Sequence, residues 1–266
     1  MKQISILGCG WLGFPLAKQL IQKGYSIKGS TTTETKLELL QSEGIKPFLI
    51  SLKANDIPRE NADFLENSEI LIINIPPGLR GNSEENFVAK MENFIPFIEK
   101  SSVKKVIFVS STSVYADKNQ IVTEERMPNP ETESGKQLLI TENLFLNNSN
   151  FQTTILRFGG LIGEDRHPIK FLSGRNNIEN PEAPINLIHQ LDCIKIIQKI
   201  IEKEVWNTVF NAVAPFHPTR KRYYTEKALE LNLLPPQFNE NQASVGKTVS
   251  SNKLITVLNY EFKKLG

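Results

Sequence analysis

Lys2-Gln3-Ile4-Ser5-Ile6-Leu7-Gly8-Cys9-Gly10-Trp11-Leu12-Gly13-Phe14-Pro15-Leu16-Ala17-Lys18-Gln19-Leu20 reads as a strand, a glycine turn and a helix in immediate succession. Ile4 to Leu7 is a short apolar run of the kind buried on both faces of a parallel sheet. Gly8, Gly10 and Gly13 space as G-x-G-x-x-G, and Leu12, Leu16, Ala17 and Leu20 then follow a helical period. Gly8 makes the tight turn off the strand, Gly10 leaves room for a pyrophosphate, and Gly13 lets the helix lie close to the sheet. The helix start adds unpaired N–H groups and the positive end of its dipole. Trp11 and Leu12 therefore join the three glycines as expected contacts of a dinucleotide. A glycine-rich turn that holds no ligand is the alternative.

Working outward, Tyr25-Ser26-Ile27-Lys28-Gly29-Ser30 predicts a second strand after the break at Gly24. Dinucleotide sites that take NAD place Asp or Glu about 20 residues past the glycines, on the ribose hydroxyls. Here Lys28 to Thr33 hold that zone, and the first carboxylate is Glu34. Without a carboxylate a 2′-phosphate meets no repulsion, and the hydroxyls of Ser30, Thr31 and Thr32, with Lys36 nearby, suit it. The zone predicts NADP over NAD. Its alternative is the start of a helix from Thr35 to Gln41 with a threonine as N-cap.

Lys46 to Ile50 predicts a third strand, and Glu69 to Ile75 the clearest buried one, mostly β-branched. It ends in Pro76-Pro77-Gly78, which cannot continue a sheet. Carboxyl ends of strands face the ligand crevice in doubly wound sheets, so Pro76 is expected on the nicotinamide side. A helix from about Ser83 to Glu99 and a strand from Lys104 to Ser110 complete an alternation that requires a parallel α/β sheet.

The remaining composition is that of an ordinary globule. The chain has 266 residues, 39% hydrophobic and 23% charged, with 31 basic and 29 acidic residues for a net charge of +2. That balance gives no electrostatic footprint for nucleic acid. The two cysteines, Cys9 and Cys193, lie far apart and suggest neither a disulfide framework nor a metal site. The first strand leaves no place for a signal peptide, and no apolar run reaches the length of a membrane span. The expectation is a cytoplasmic protein, a monomer or homodimer, that handles a small molecule.

Five pieces of the chain together resemble the short-chain dehydrogenase/reductase superfamily, in its extended, nucleotide-sugar epimerase/dehydratase-like branch. They are Gly8 to Gly13; Phe108-Val109-Ser110-Ser111-Thr112-Ser113-Val114-Tyr115; Leu156-Arg157-Phe158-Gly159-Gly160-Leu161-Ile162-Gly163; Asn186-Leu187-Ile188-His189-Gln190-Leu191-Asp192; and Val209-Phe210-Asn211-Ala212. The resemblance implies a Rossmann-type doubly wound sheet with a small C-terminal substrate lobe. It implies chemistry on a Ser/Thr, a Tyr acting as acid or base, and a Lys four residues later that lowers the tyrosine's pKa and binds ribose. Ser111 matches the Ser/Thr and Lys136 the Lys. The residue four before Lys136 is Thr132, not Tyr, and a threonine hydroxyl is far too weak an acid to replace a phenol. In this the chain resembles an atypical bacterial subgroup with the same G-W-L-G opening and a degraded Tyr–Lys pair.

Two outcomes remain open at this stage. One is an NAD(P)-dependent oxidoreductase or epimerase/dehydratase-like enzyme for a small polar hydroxy or carbonyl compound, with Glu133, Tyr115 or His167 as the alternative acid or base. The other is a non-catalytic NADP(H) sensor or scaffold. Tyr115 is expected near the substrate, Asp192 as N-cap of a helix from Cys193 to Lys203, and His189 as a satisfied, partly buried histidine. Residues 1–165, continued by 185–214, are expected to form the cofactor core. Residues 166–184 and 215–266 are expected to form the substrate lobe. Arg166 and Arg175, with Arg220 and Arg222 behind them, are the expected partners of an anionic substrate group.

Overall fold

In the computed structural model, which describes residues 2–54, 60–79 and 86–263, β1 (Gln3–Leu7) runs directly into α1 (Gly13–Gln22). Leu16, Ala17 and Leu20 of α1 are fully buried, as their helical spacing requires. The alternation continues through β2 (Ser26–Thr31), α2 (Leu37–Ser42), β3 (Lys46–Leu49), α3 (Glu60–Leu65), β4 (Ile70–Ile73), α4 (Phe87–Lys100) and β5 (Lys105–Ser111). Then come β6 (Gln120–Val122), α5 (Glu133–Leu146), β7 (Gln152–Phe158), β8 (Gly160–Ile162), α6 (Ile169–Leu172), β9 (Leu187–His189) and α7 (Gln190–Glu202). The last are β10 (Thr208–Ala212), α8 (Arg220–Glu230), β11 (Lys247–Val249) and α9 (Asn252–Leu258).

Seven strands form one sheet in the order β10-β7-β5-β4-β1-β2-β3. The ladders joining β1 to β2, β1 to β4, β2 to β3 and β4 to β5 are parallel. The chain winds outward from β1 to β3, then returns to place β4 on the other side of β1. Helix-covered parallel strands are apolar on both faces, and Ile70 to Ile73 accordingly have no exposed surface at all. The reversal between β1 and β4 is the switch point at which ligands bind in such sheets. The doubly wound fold expected from the sequence is the fold observed.

Packing divides the chain into two units. The first takes residues up to Val114, Pro130–Arg157 and Ile194–Val209. Its core includes Phe108, stacked on Phe145 at 5.3 Å between centroids, with Phe87 at 6.4 Å on the other side. The second takes Tyr115–Asn129, Phe158–Cys193 and everything from Phe210. It contains two parallel pairs, β6 with β11 and β8 with β9. Its apolar cluster includes Ile162, Ile169, Ile185, Leu187, Tyr223 and Tyr224.

Three local expectations are corrected. The helix expected from Thr35 begins as a 3-10 turn, Glu34–Lys36, and the preceding Thr33 makes no side-chain cap. The helix expected from Ser83 is described from Phe87, where Asn86 caps it by accepting the Ala89 N–H at 2.9 Å; residues 83–85 lie outside the described residues. Asp192 is not an N-cap. It sits inside the first turn of α7, buried, and its Oδ1 accepts the Tyr260 hydroxyl at 2.6 Å and the Lys263 N–H at 3.0 Å.

Candidate functional site

The glycine turn is held by three bonds from neighbouring strands. Gly8 N–H donates to Ser30 Oγ at 2.9 Å, and Cys9 N–H donates to the Ser30 carbonyl at 2.7 Å. The Asn74 amide, just past β4, donates to the Gly8 carbonyl at 3.2 Å. Gly8 has φ of +101°, a conformation that side-chain-bearing residues rarely adopt. A Cβ on Gly13 would stand 2.1 Å from the Gly8 carbonyl oxygen, so only glycine lets α1 approach so closely. A Cβ on Gly10, by contrast, would meet nothing within 4 Å. No side chain caps α1 at Leu12 and no acid stands in its first turn; the Phe14 N–H is taken by the Gly10 carbonyl at 3.0 Å and Pro15 has none, which leaves the Gly13 N–H and the positive end of the dipole to an anion.

Beside this turn lies a cavity of about 310 Å³, entirely within the first unit. The glycine turn, the residues from Ser30 to Thr33, the segment Ile50-Ser51-Leu52 after β3, and Asn74 to Pro76 wall it. Lys36, Phe87 and Lys90 complete the wall. Among the described lining residues no carboxylate occurs, and Lys36 and Lys90 bring the formal charges. Thr31 is nearly buried and its Oγ1 accepts the Thr33 N–H at 3.1 Å, while Thr32 and Thr33 are exposed at the mouth. Lys28 is turned away: its ammonium donates to the carbonyls of Asp63 and Glu66 at 2.6 and 2.7 Å, at the C-terminal end of α3. Burial pushes the Lys28 pKa down. Cys9 lines the cavity as a neutral thiol, its pKa pushed up to about 12 by burial.

The second constellation lies where β5 meets α5. Ser111 ends β5, and its Oγ accepts the Ser113 N–H at 3.1 Å. Gly135, in the first turn of α5, rests on the Ser113 carbonyl; a Cβ there would come within 2.4 Å of that oxygen. This contact seats the start of α5 on the turn after β5, with Lys136 exposed at the next position. The Lys136 ammonium makes no hydrogen bond or ion pair among the described residues, while its backbone N–H donates to the Thr132 carbonyl at 3.0 Å. Thr132 is the N-cap of α5, its Oγ1 accepting the Gly135 N–H at 3.1 Å. Glu133 accepts from Gln137 Nε2 at 3.0 Å, and Gln137 Oε1 accepts the Phe87 N–H at 2.7 Å, tying α5 to the start of α4. Underneath, Glu142 and Arg157 form a buried bidentate pair, 0% and 4% exposed, and Ser110 donates to Glu142 Oε1 at 2.5 Å.

The structure thus gathers the glycine turn, Ser30 to Thr32, Pro76, Ser111, Thr132 and Lys136 into one unit; Tyr115, Arg166 and Arg175 belong to the other. The Tyr115 hydroxyl lies 3.0 Å from Asn211 Oδ1 and 3.2 Å from the Thr123 carbonyl, both acceptors. The Asn211 N–H in turn donates to Glu124 at 2.7 Å, and burial raises the Glu124 pKa. His167 is held on both sides. Its Nδ1 accepts the Ile169 N–H at 3.1 Å, so the ring proton sits on Nε2, 3.0 Å from the Tyr223 oxygen. Burial pushes its pKa down to about 4, and this neutral, enclosed imidazole anchors the second unit's core. His189 is half-buried, its Nδ1 accepting the Leu191 N–H at 3.2 Å. Arg166 is half-buried and Arg175 exposed. Arg220 donates to the Glu179 carbonyl and Arg222 to Glu226.

Sequence reasoning missed Asn74, Lys90, Ile50 to Leu52 and Glu142. Asn74 had a signal, a lone amide closing an apolar strand. Lys90 had none, because only the folded position of α4 brings it to the cavity. Among the described residues no cluster of metal-ligating side chains occurs, and no helix is long and apolar enough to cross a membrane.

Residues 3–80 match a family described as NADP oxidoreductase, coenzyme F420-dependent. Protein YeeZ of Escherichia coli strain K12 is 32% identical over 265 residues, covering 99% of this chain and 96% of its own length. A functionally unknown conserved protein from Silicibacter pomeroyi superposes with a TM-score of 0.81 at 19% identity, over 100% of this chain and 95% of its own. The UDP-glucuronic acid 4-epimerase of Bacillus cereus, solved with UDP-glucuronic acid and NAD, also gives 0.81, at 18% identity and over 98% and 94% of the two chains. At those identities the two solved structures share the fold.

Proposed function

The chain belongs to the family of the Escherichia coli protein YeeZ, and from that premise we propose that it is an NADP(H)-dependent oxidoreductase or epimerase/dehydratase-like enzyme acting on a small polar hydroxy or carbonyl compound. The cavity beside the glycine turn, with no carboxylate among its described lining residues, carries this reading. Its residues fit a dinucleotide: open space at Gly10 and the uncapped start of α1 suit a pyrophosphate, and Thr32, Thr33 and Lys36 suit a 2′-phosphate. A volume of about 310 Å³ matches the adenosine half; the nicotinamide half extends past Pro76 toward Ser111 and Lys136. The family matched by residues 3–80 is described by NADP, and the Bacillus cereus epimerase holds NAD on the same fold.

A dinucleotide held there would supply a nicotinamide for hydride exchange with a substrate carbon. Ser111 orients the substrate oxygen, and the Lys136 ammonium holds the ribose. The proton that accompanies the hydride has no phenol to carry it at Thr132, whose oxygen caps α5. That cap favours a second reading, an NADP(H)-binding sensor or scaffold that turns nothing over.

Titration of the purified protein with NADPH and NADH tests the cofactor; NADPH is expected to bind at least about tenfold more tightly, a difference of about 1.4 kcal/mol, and tighter NADH binding overturns it. Single-turnover nicotinamide absorbance across a panel of small carbonyl compounds tests the reaction. Consumption of NADPH by the wild type supports the enzyme. Consumption by Thr132→Tyr alone supports the sensor.

A further inference from the structure

Gly8 stands where β1 leaves the sheet, between β2 and β4, the two strands that flank it. A residue that turns out of a parallel ladder gives up its ladder partners, and its peptide groups need others. Two side chains supply them. Ser30 of β2 accepts the Gly8 N–H at 2.9 Å, and Asn74, directly after β4, donates to the Gly8 carbonyl at 3.2 Å. We propose that Ser30 and Asn74 are positioning residues for the dinucleotide, a clamp that fixes both peptide groups of Gly8 and so sets affinity for the pyrophosphate, without bearing on the 2′ group. This rests on the dinucleotide reading above.

The clamp leaves the turn little freedom. With φ of +101°, Gly8 already holds a conformation that only glycine adopts readily, and a Cβ there would stand 2.6 Å from the Asn74 carbonyl oxygen. The Gly8 carbonyl oxygen lies against Gly13, where a Cβ would come within 2.1 Å of it. The direction of that oxygen therefore decides where α1 can begin, and the Asn74 amide holds it. Asn74 is itself anchored, its N–H donating to the Leu7 carbonyl at 2.9 Å. On the β2 side Ser30 is only 2% exposed, and its carbonyl takes the Cys9 N–H at 2.7 Å. The sequence suggests the Ser30 hydroxyl for a 2′-phosphate; the bond to Gly8 gives it to the turn instead, and the exposed Thr32 and Thr33 stand further along the chain. Ser30, Asn74 and Gly8 all line the cavity, so a shift in either side chain is felt at the ligand's surface.

The experiment is calorimetric titration of the full chain with NADPH, NADH and 2′-AMP, which carries the 2′-phosphate and lacks the pyrophosphate. Wild type, Ser30→Ala, Ser30→Thr, Asn74→Ala and Asn74→Asp are compared, with circular dichroism to verify folding. Ser30→Ala and Asn74→Ala are each expected to weaken NADPH and NADH alike by about threefold to tenfold, as for loss of one hydrogen bond, and to leave 2′-AMP within about twofold. Asn74→Asp puts a carboxylate in place of the donor, beside the pyrophosphate, and weakens both dinucleotides further. Ser30→Thr keeps the acceptor oxygen and restores most of the loss. Unchanged affinities in folded alanine variants overturn the clamp, whatever their stability. So does a loss in Ser30→Ala confined to NADPH and 2′-AMP, which returns the hydroxyl to the 2′-phosphate. Where one alanine variant does not fold, the other decides. If the wild type binds neither dinucleotide, the cofactor reading itself fails and the clamp falls with it, whatever the variants do.

Discussion

The cavity beside β1 and the junction of β5 with α5 sit in the same unit and are built from opposite materials. The first is backbone: a left-handed Gly8, a Gly13 that admits the Gly8 carbonyl, and N–H groups at the start of α1. The second depends on single side chains, Ser111 at the end of β5 and Thr132 and Lys136 at the start of a helix that Gly135 seats against the Ser113 carbonyl. A backbone site tolerates drift in most side chains because its ligand contacts are peptide groups. A side-chain site changes its chemistry with one substitution, and here Thr132, whose oxygen caps α5, is too weak an acid to carry a proton as a phenol does. Holding a cofactor and reacting with it are therefore separable properties of this fold.

The comparison breaks most severely at Glu142. Its carboxylate is the partner of Arg157 and the acceptor of Ser110, all three buried behind the β5–α5 junction. Glu142→Leu removes the carboxylate that neutralises the buried Arg157 guanidinium and is expected to cost about 3–5 kcal/mol of stability. Urea unfolding measures it. The double variant Glu142→Leu with Arg157→Met should recover most of the loss, because the cost lies in the stranded charge. A single-variant loss below about 1 kcal/mol would show that the pair does not hold the junction. Gly13→Ala breaks the other side. Its methyl would meet a backbone oxygen at 2.1 Å, and overpacking of this kind costs about 1–3 kcal/mol. Because α1 must retreat, NADPH affinity should also fall by at least about thirtyfold, or about 2 kcal/mol. Unchanged affinity in a folded Gly13→Ala variant would remove the cradle from the cofactor site.

The same contrast explains what was legible in the sequence. The strand, turn and helix from Gln3 to Gln22 were readable because apolar period and glycine spacing are local, and the sheet order follows from repeating that unit. Ser111 and Lys136 were reachable only through resemblance, since nothing local distinguishes them from other polar residues. Asp192 was misassigned because its position before an apolar helical run suits a cap. Its partner, Tyr260, lies 68 residues away, beyond any local rule. His167 stood among polar loop residues and so resembled a candidate base, yet folding encloses it between Tyr223 and the Ile169 N–H. Lys90 was invisible for the same reason: a helix face has a direction only once its neighbours are in place.

The smallest expected effect bears most directly on function. Thr132 caps α5 through one bond to the Gly135 N–H, and loss of such a cap costs ~1 kcal/mol. Thr132→Ala should lower stability by that amount in urea unfolding and leave NADPH affinity within about twofold, while Thr132→Ser, which keeps the acceptor oxygen, should stay within a few tenths of a kcal/mol, roughly 0.5, of the wild type. A carbonyl-reducing activity that survives Thr132→Ala would assign proton transfer to another group and confine residue 132 to architecture. Activity abolished by Thr132→Ala and retained by Thr132→Ser would instead give the hydroxyl a part in the reaction, and the separation between the two regions would close at this residue.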